Sequence, residues 1–326
     1  MQLYLGVLIF SFIVTSLLIV PFIDFLYRMK LVRKEEKKEA LAKHDLKAGT
    51  PTGLGILLIL VIAGLFIILF PTLLLPKSGA GLVSSFPMTR ELVVIFVTFI
   101  GFALLGMYDD VVKIFGFGRT GFFGLRRWHK FAIQWVIALV SAGLLYWGLQ
   151  IHFIYLPFIG IWDLGFGYFF LAAFLIVTFA NAFDITSGLD GLGEGLLMIC
   201  LSAFWVISVS QLDQVLSLFI AIWIGSLLAG IYFTIYPARA FLGNASGMAF
   251  GATLAIVGLL SGKFVPMLIV GGVFLLDGGS SLLQIFPNVP LHHWLELVGW
   301  EEPKIVARAW LTGLVLAIFG VWLTLL

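Results

Sequence analysis

The chain has 326 residues, of which 61% are hydrophobic and only 11% are charged. Soluble domains carry roughly 25% charged residues, so this composition excludes a soluble globular protein and indicates an integral membrane protein. The net charge of +2 is too small to indicate nucleic-acid binding, and the single cysteine, Cys200, excludes a disulfide or a cysteine-based metal cluster within the chain.

Ten apolar runs are long enough to cross a bilayer, since a transmembrane helix needs roughly 20 mostly apolar residues. The first run lacks a preceding basic segment and a small-residue cleavage site, so we expect it to be retained. The runs lie near residues 3–26, 52–75, 91–108, 129–149, 166–183, 192–210, 215–236, 246–262, 264–286 and 305–326. We therefore predict an all-α integral membrane protein with ten transmembrane helices and a single polytopic domain over residues 1–326.

The basic residues are concentrated in and directly beside alternate connections between these runs: residues 28–50, 109–130, 237–247 and 287–308 contain 16 of the 19 Lys and Arg. An excess of Lys and Arg marks cytoplasmic loops, so we predict both termini outside and five cytoplasmic loops. These are residues 27–51, 109–128, 184–191, 237–245 and 287–304. Most other polar side chains also lie in these loops, which favours an enzyme at the inner membrane face. A transporter is the remote alternative, because its site is expected near the midplane of the bilayer.

The first cytoplasmic loop ends in the sequence H-D-L-K-A-G-T-P-T-G-L-G, residues 44–55. The amides and hydroxyls of Thr50 and Thr52 near a helix start suit an anion, and Lys47 would add a positive charge for phosphate. The alternative remains open that the glycines and Pro51 only mark the start of the second span.

The third span ends in G-M-Y-D-D-V-V-K, which places Asp109 and Asp110 side by side at the cytoplasmic surface, with Lys113 close behind. Adjacent carboxylates repel each other unless a cation or a proton lies between them. Mg²⁺ accepts one or two carboxylates together with substrate phosphate oxygens, so the pair favours a phosphate-transferring site. The alternative is a helix end exposed to water.

The third cytoplasmic loop, N-A-F-D-I-T-S-G-L-D-G-L, is the most polar stretch next to an apolar run, at residues 181–192. On a helical turn its spacing would align Asn181, Asp184 and Ser187 along one face, with Asp190 following. Ionisable groups at a membrane boundary mark substrate or ion sites more often than not.

The last two cytoplasmic loops add aromatic and imidazole groups. Phe241 is available for stacking, and Asn244 precedes a helix of small residues, where an ordinary N-cap is the alternative role. His292 and His293 lie beside a helix start, and because adjacent side chains diverge on a helix, a phosphate contact is as plausible as a metal site.

Taken in order, these motifs resemble those of the polyprenyl-phosphate N-acetylhexosamine-1-phosphate transferase superfamily, most closely its phospho-N-acetylmuramoyl-pentapeptide transferase branch. The match spans nearly the whole chain. K-A-G-T-P-T-G-L-G resembles the branch pattern K-x-G-T-P-T-M-G-G, and Y-D-D-V-V-K resembles D-D-x-x-K. The third loop is similar to N-A-x-(N/D)-x-T-D-G-L-D-G-L, and L-H-H-W-L-E-L-V-G-W-E-E-P-K is similar to H-H-H-x-E-x-x-G-W-x-E-P-K.

The resemblance implies a bacterial cytoplasmic (inner) membrane enzyme with its active site facing the cytoplasm. The enzyme would transfer phospho-MurNAc-pentapeptide from UDP to undecaprenyl phosphate with Mg²⁺, giving lipid I and UMP. Its partners would be the UDP-sugar, the lipid carrier and the membrane, with no nucleic acid, and a homodimer is left open. Asp109, Asp110 and Lys113 would be catalytic, and Asp110 and Asn244 would hold the metal. The implied substrate-binding residues are Lys47, Thr50, Thr52, Asn181, Asp184, Ser187, Asp190, Thr234, Phe241, His292 and His293.

Four positions depart from the family pattern. Asn244 and Ser187 stand where the family has aspartates, Thr234 replaces an asparagine, and Trp294 replaces the third histidine. Two further hypotheses are therefore kept: a family member that binds nucleotide sugar or lipid phosphate but turns over poorly, and a related transferase that uses another UDP-sugar.

Overall fold

The computed structural model describes residues 2–33, 47, 49–73, 86–115, 127–283, 285 and 290–325. Within these ranges the chain is almost entirely helical, as the long apolar runs predict. The α-helices are α1 Gln2–Arg28, α2 Leu54–Leu73, α3 Met88–Phe115, α4 Arg127–Gly143, α5 Gly167–Thr186, α6 Leu192–Ser210, α7 Gln214–Thr234, α8 Asn244–Leu260, α9 Phe264–Val270, α10 Gly272–Leu282, α11 Leu291–Leu297 and α12 Glu302–Leu325.

Eight of these helices are long and apolar enough to cross a membrane, which confirms a helical membrane protein. The ninth predicted span, residues 264–286, is not one continuous helix. It is divided into α9 and α10, which are bent by 72° around Gly271. The helix α8 is apolar but has only 17 residues and is not among the eight.

A small β-hairpin, which the sequence analysis did not predict, follows α4 and its π-helical extension Leu144–Gly148. Strands β1 Phe153–Leu156 and β2 Gly160–Asp163 pair antiparallel. Their β-branched and aromatic residues favour an extended backbone, but four-residue strands are too short for a clear alternating pattern in the sequence. The ammonium of Lys263 lies 4.5 Å from the centroid of the Tyr155 ring, so the hairpin contacts the start of α9.

The core of the bundle is built around α7 and α8, which are buried along nearly their whole length. Aromatic side chains from four helices meet there in edge-to-face and stacked pairs: Phe66, Phe99, Phe219, Trp223 and Phe250. Aromatic pairs of this kind add to the stabilisation from apolar burial. Their packing fixes the position of α8, whose first residues belong to the candidate site.

Small residues allow close helix contacts, as their frequency in the apolar runs indicates. A Cβ atom on Gly225 of α7 would collide with Ser11 and the Leu8 carbonyl of α1. One on Gly251 of α8 would collide with the backbone of α5 at Phe179. These glycines let the backbones approach to a distance that larger side chains would prevent.

The segments that connect the helices fall into two sets, according to which helix ends contact each other. In one set the Arg90 guanidinium donates to the Gly148 carbonyl at 2.8 Å, and the Gln211 amide donates to the Ser261 carbonyl at 2.9 Å. In the other set Asp110 at the end of α3 meets Asn244 at the start of α8, and Asp190 meets Glu302 at the start of α12. The loops predicted to be cytoplasmic contribute to the second set.

Candidate active site

The carboxylate of Asp110 binds the first turn of α8. Its Oδ1 accepts a hydrogen bond from the Asn244 backbone N–H at 3.1 Å, and its Oδ2 accepts one from the Ala245 N–H at 3.0 Å. The first N–H groups of a helix have no partner within the helix, so an aspartate from another helix stabilises them as a cap. Gly243 directly precedes these amides and has a φ of +83°, a backbone conformation that favours glycine.

The neighbouring Asp109 is buried and contacts two other helices. Its Oδ2 accepts a hydrogen bond from the Asn244 side-chain amide at 2.6 Å and one from the Lys130 ammonium at 3.1 Å. The Lys130 ammonium also lies 3.6 Å from Oδ2 of Asp184. We call Asn244, Asp109, Lys130 and Asp184 the Lys130 cluster. It joins α3, α4, α5 and α8 at one end of the bundle.

Lys130 is a site residue that the sequence analysis missed. The signal was present, because this lysine opens the fourth apolar run at the same predicted membrane face as the aspartate pair. A basic residue so close to an apolar run is typically a snorkelling anchor, and only the tertiary structure shows that its ammonium turns inward. The side chain of Lys113, predicted to be catalytic, lies outside the described residues.

Asn181 and Asp184 both face α4. The Asn181 amide donates to Oε1 of Gln134 at 2.9 Å, one helical turn after the Lys130 that Asp184 contacts. The predicted alignment of these two residues on one face is therefore present in α5. Ser187 follows the last residue of α5, and its hydroxyl donates to the Phe183 carbonyl at 2.8 Å.

Lys47 and Asp190, both predicted to bind substrate, instead lie together in a second ionic group. The Lys47 ammonium is 2.6 Å from Oδ1 of Asp190 and 2.6 Å from Oε1 of Glu302. Only 9% of Lys47 and 4% of Asp190 are exposed. We call these three residues the Lys47 cluster. Because Asp190 also accepts the Ala238 N–H at 2.9 Å, the cluster links the first, third and fourth cytoplasmic segments to α12.

Glu194, in the first turn of α6, is a buried acid that the sequence analysis did not single out. Its carboxylate lies beside Asp190, Lys47 and the hydroxyl of Thr234. Thr234 is itself buried at the end of α7. This arrangement places Thr234, predicted to bind substrate, behind the Lys47 cluster rather than on an open surface.

The segment that contains Thr50 and Thr52 packs against Phe241. The N–H groups of Gly53 and Leu54 both donate to the Phe241 carbonyl at 3.0 Å, and the Phe241 N–H donates to the Pro51 carbonyl at 2.8 Å. The amides of Gly53 and Leu54 are therefore bound to the protein's own backbone, and substrate binding by this motif stays a prediction. Its hydroxyl groups stay candidate substrate contacts.

The ring of Phe241 has two cations near it. The Arg33 guanidinium lies 5.4 Å and the Lys47 ammonium 6.0 Å from the ring centroid. Cations at these distances interact with the face of an aromatic ring. They also provide positive charge beside an aromatic ring that is predicted to bind substrate.

The two histidines meet the loop between α5 and α6. Nδ1 of His292 is 2.7 Å from Asp277, and Nδ1 of His293 is 2.7 Å from Glu296. Their ring centroids are only 4.2 Å apart, so the expectation that adjacent side chains diverge is wrong here. A Cβ atom on Gly188 would lie 2.7 Å from Nε2 of His292 and 3.5 Å from Nε2 of His293. Both Nε2 atoms therefore point at Gly188, in the loop between α5 and α6.

An apolar recess lies on the other side of His292. It is lined by residues of α5, α6, α10, α11 and α12, among them Leu192, Leu276, Leu295, Trp300 and Arg308. The Arg308 guanidinium lies 4.4 Å from the centroid of the Trp300 ring, at the start of α12. The recess thus combines an apolar wall with one cation.

The acidic groups do not form the donor set of a magnesium site. Among the described residues no three His, Cys, Asp or Glu side chains are arranged to hold a metal ion. Asp110 binds the amides of α8, and the Asn244 side chain contacts Asp109 through its N–H rather than presenting its oxygen there. Mg²⁺ is held in proteins by one or two carboxylates, with water and substrate oxygens completing its ligands. Here Oδ2 of Asp109 and both oxygens of Asp110 accept N–H groups instead, so the described residues as arranged do not fit a resident ion.

The fold and the site define the class of protein: a polytopic membrane protein with a charged site at one end of its helix bundle, beside an apolar recess. Residues 92–262 match the model of glycosyl transferase family 4. The chain is 31% identical to the phospho-N-acetylmuramoyl-pentapeptide-transferase of Bacillus velezensis, over 99% of this chain and 98% of the relative. It is 34% identical to the enzyme of the same name from Limosilactobacillus fermentum, over 94% of this chain and 93% of the relative.

The corresponding protein of Bacillus subtilis is 30% identical over 99% of this chain. The chain therefore belongs to glycosyl transferase family 4 and, within it, to the phospho-N-acetylmuramoyl-pentapeptide-transferase family. The resemblance found in the motifs is confirmed.

Proposed function

We propose that this protein transfers phospho-MurNAc-pentapeptide from UDP-MurNAc-pentapeptide to undecaprenyl phosphate in peptidoglycan synthesis. The observation that carries the proposal is the Lys130 cluster, a half-buried group of opposite charges in a chain that matches phospho-N-acetylmuramoyl-pentapeptide-transferases over nearly its full length. Phosphoryl transfer depends mostly on positioning and on stabilising charge, which such a group can supply.

The reaction balances without an oxidant or a reductant. An oxygen of the lipid phosphate attacks the β-phosphorus of UDP-MurNAc-pentapeptide and forms a new P–O bond. The bond between that phosphorus and the oxygen bridging to the α-phosphate breaks, and the electron pair leaves with UMP. The products are UMP and the lipid-linked diphosphate sugar, lipid I. A proton held by the lipid phosphate passes to a carboxylate before the attack and returns to UMP.

The Lys130 cluster has groups for these steps. Asp109 is the carboxylate we assign to take the proton, because it shares a cleft with the cation that would hold the phosphate. Lys130 would move its ammonium from Asp184 to the incoming phosphate, which is a small displacement for a flexible side chain. Asn181 and Asp184 would then line the cleft along α5, and the two histidines would close it.

The lipid carrier requires an apolar surface that is continuous with the bilayer. The recess beside His292 supplies apolar side chains, and Arg308 in its lining supplies a cation. We propose that the isoprenoid chain approaches along this side of the bundle, so that its phosphate enters from the membrane and the nucleotide from water.

We further propose ten membrane spans, with both termini outside and the site on the cytoplasmic face of the bacterial inner membrane. Counting α8 as one span, and α9 with α10 as another, gives this number. Support comes from α8, which begins at Asn244, beside Asp110, and ends at Leu260. The carbonyl of the next residue, Ser261, accepts a hydrogen bond from Gln211 in the other set of helix ends. The excess of Lys and Arg then orients the site towards the cytoplasm.

The direct test is UMP release by purified protein supplied with UDP-MurNAc-pentapeptide, undecaprenyl phosphate and Mg²⁺. We expect release by the wild type and a loss of at least about 100-fold for Lys130→Met, since removing one charge-stabilising group typically costs this much. A suitable control is Lys263→Met, which removes a lysine beside the hairpin and should leave the rate unchanged. No release from well-folded wild-type protein would contradict the proposal.

A family member with low turnover is the second candidate, and the contacts of Asn244 and Ser187 favour it. Asn244 holds Asp109 with a neutral amide, and the Ser187 hydroxyl is bound to its own helix. The double variant Asn244→Asp with Ser187→Asp restores the two family carboxylates. A large increase in UMP release would support this candidate, and an unchanged rate would argue against it.

A further inference from the structure

The Lys130 ammonium occupies a position typical of a bound cation. It lies between carboxylates from two different helices, 3.1 Å from Asp109 and 3.6 Å from Asp184. Only 19% of the Lys130 side chain is exposed. Two carboxylates this close to one point repel each other unless a positive charge separates them, and here the chain supplies that charge itself.

Asn244 completes this arrangement. Its amide N–H donates to the same oxygen of Asp109 that Lys130 contacts, at 2.6 Å. An aspartate here would place a third carboxylate beside Asp109 and could not donate this hydrogen bond without a proton. The amide therefore removes one negative charge and supplies a donor in its place.

The carboxylate of Asp110, the neighbour of Asp109, also has hydrogen-bond partners. Both oxygens of Asp110 accept N–H groups from the first turn of α8. The positive end of the α8 dipole offsets part of its charge. A metal ion at Asp110 would have to compete with two amides that are fixed by the position of α8 in the core.

We propose that this protein holds no resident divalent cation on its own side chains before substrate binds, and that the Lys130 ammonium, supported by Asn244, takes the place of that cation. The inference concerns the same cleft as the proposed function. It does not require the protein to be active, because cation binding can be measured without either substrate.

The test is Mn²⁺ binding to the purified full-length chain in detergent, followed by the loss of the free Mn²⁺ signal in electron paramagnetic resonance. We expect no saturable site in the wild type up to about 1 mM Mn²⁺, the range of weak oxygen-ligand sites. Lys130→Met removes the ammonium that Asp109 and Asp184 share, and Asn244→Asp adds a carboxylate. Each variant should bind Mn²⁺ at least about tenfold more tightly, with Mg²⁺ competing.

Two control variants separate this gain in Mn²⁺ affinity from a general effect of mutating the protein or adding a negative charge. Lys130→Arg keeps the positive charge and should bind no more Mn²⁺ than the wild type. Gln150→Glu adds one carboxylate beyond the far end of α4, where Gln150 is exposed, and should also leave binding unchanged. If Lys130→Met does not fold, the comparison between Asn244→Asp and Gln150→Glu still decides the question.

Saturable binding of one Mn²⁺ by the wild type in the micromolar range, without substrate, would overturn the inference. So would failure of well-folded Lys130→Met and Asn244→Asp variants to gain affinity over their controls. Neither result depends on UMP release, so failure of the proposed function and failure of this inference are distinguishable.

Discussion

Lysines 47 and 130 each contact two carboxylates, but their surroundings differ. The side chain of Lys47 is 10% exposed and lies between Asp190 and Glu302, whereas the side chain of Lys130 is 19% exposed. An ammonium that is almost fully enclosed serves chiefly to hold segments together, while a more exposed one can exchange partners. We therefore assign Lys47 to positioning and Lys130 to substrate.

Asp190→Asn tests the positioning role of Lys47. The change leaves the Lys47 ammonium buried with one carboxylate instead of two, and breaking a buried ion pair costs about 3–5 kcal/mol. Thermal unfolding in detergent should show a clear decrease in stability. The matched control is Asp24→Asn, because Asp24 pairs with Arg28 at 2.6 Å on an exposed surface, where the expected cost is below about 1 kcal/mol. Equal losses in the two variants would contradict the assignment.

Asp110 is predicted to be catalytic and to bind metal, and the structure adds a capping role. Asp110→Ala removes both acceptors of the first α8 amides and should destabilise the fold by about 1–2 kcal/mol. Asp110→Asn keeps one oxygen as an acceptor and should recover part of this loss. Unfolding and UMP release are measured for both variants. If the Asn variant is stable and inactive, Asp110 acts in the reaction as well as in the cap; if it is stable and active, the cap is its main role.

At the scale of helices, the position of α3 against α8 decides whether the site exists. Asp109 and Asp110 reach Asn244 only because Gly106, one turn earlier, lets the two backbones touch. A Cβ atom on Gly106 would lie 2.7 Å from Cα of Ala245 and closer still to the Asn244 carbonyl. The glycine is therefore part of the site although it carries no functional group.

Gly106→Ala should push α3 away from α8 and weaken both the cap and the Asn244–Asp109 hydrogen bond. Overpacking of this kind costs about 1–3 kcal/mol, and we expect UMP release to fall with it. Gly64→Ala in α2 is the control, since nothing lies within 4 Å of the Cβ atom it would add. Similar unfolding temperatures for the two variants would show that α3 and α8 tolerate a wider separation.

The break between α9 and α10 also positions a side chain of the candidate site. The 72° bend sets the direction of α10, on which Asp277 contacts His292 of α11. A continuous helix over residues 264–286 would carry Asp277 along a straight path through the bundle. The bend thus brings an acid into contact with the histidine pair.

For the whole molecule, the proposed orientation predicts which loops are accessible from each side of the membrane. Cys200 is buried, so its replacement by alanine gives a background free of thiols. Ile159→Cys in the hairpin should react with a membrane-impermeant maleimide from outside the cell, because Ile159 is 78% exposed. Glu301→Cys, before α12, should react only after the membrane is permeabilised.

Labelling of both positions from the same side would contradict the ten-span arrangement. It would mean that α8 or the α9–α10 pair does not cross the bilayer. The cysteine-free background is the control for both measurements and should show no labelling.

The amino-acid sequence by itself determined the class of membrane protein, the approximate position of most spans and the family. These features depend on local composition, run length and ordered short motifs, which are read one segment at a time. The sequence also singled out Asp109, Asp184 and Asn244 as members of one site, because motifs at the same ends of alternate spans must meet at one membrane face.

Only the tertiary structure decided which charges pair. It turned Lys130 inward, enclosed Lys47 and Asp190 with Glu302, added the buried Glu194, and brought two adjacent histidine rings together. These outcomes depend on residues far apart in the chain, such as Lys47 and Glu302, whose contact no local pattern encodes. The bend at Gly271 and the short hairpin were missed for the same reason, since packing against neighbouring helices overrides weak local preferences.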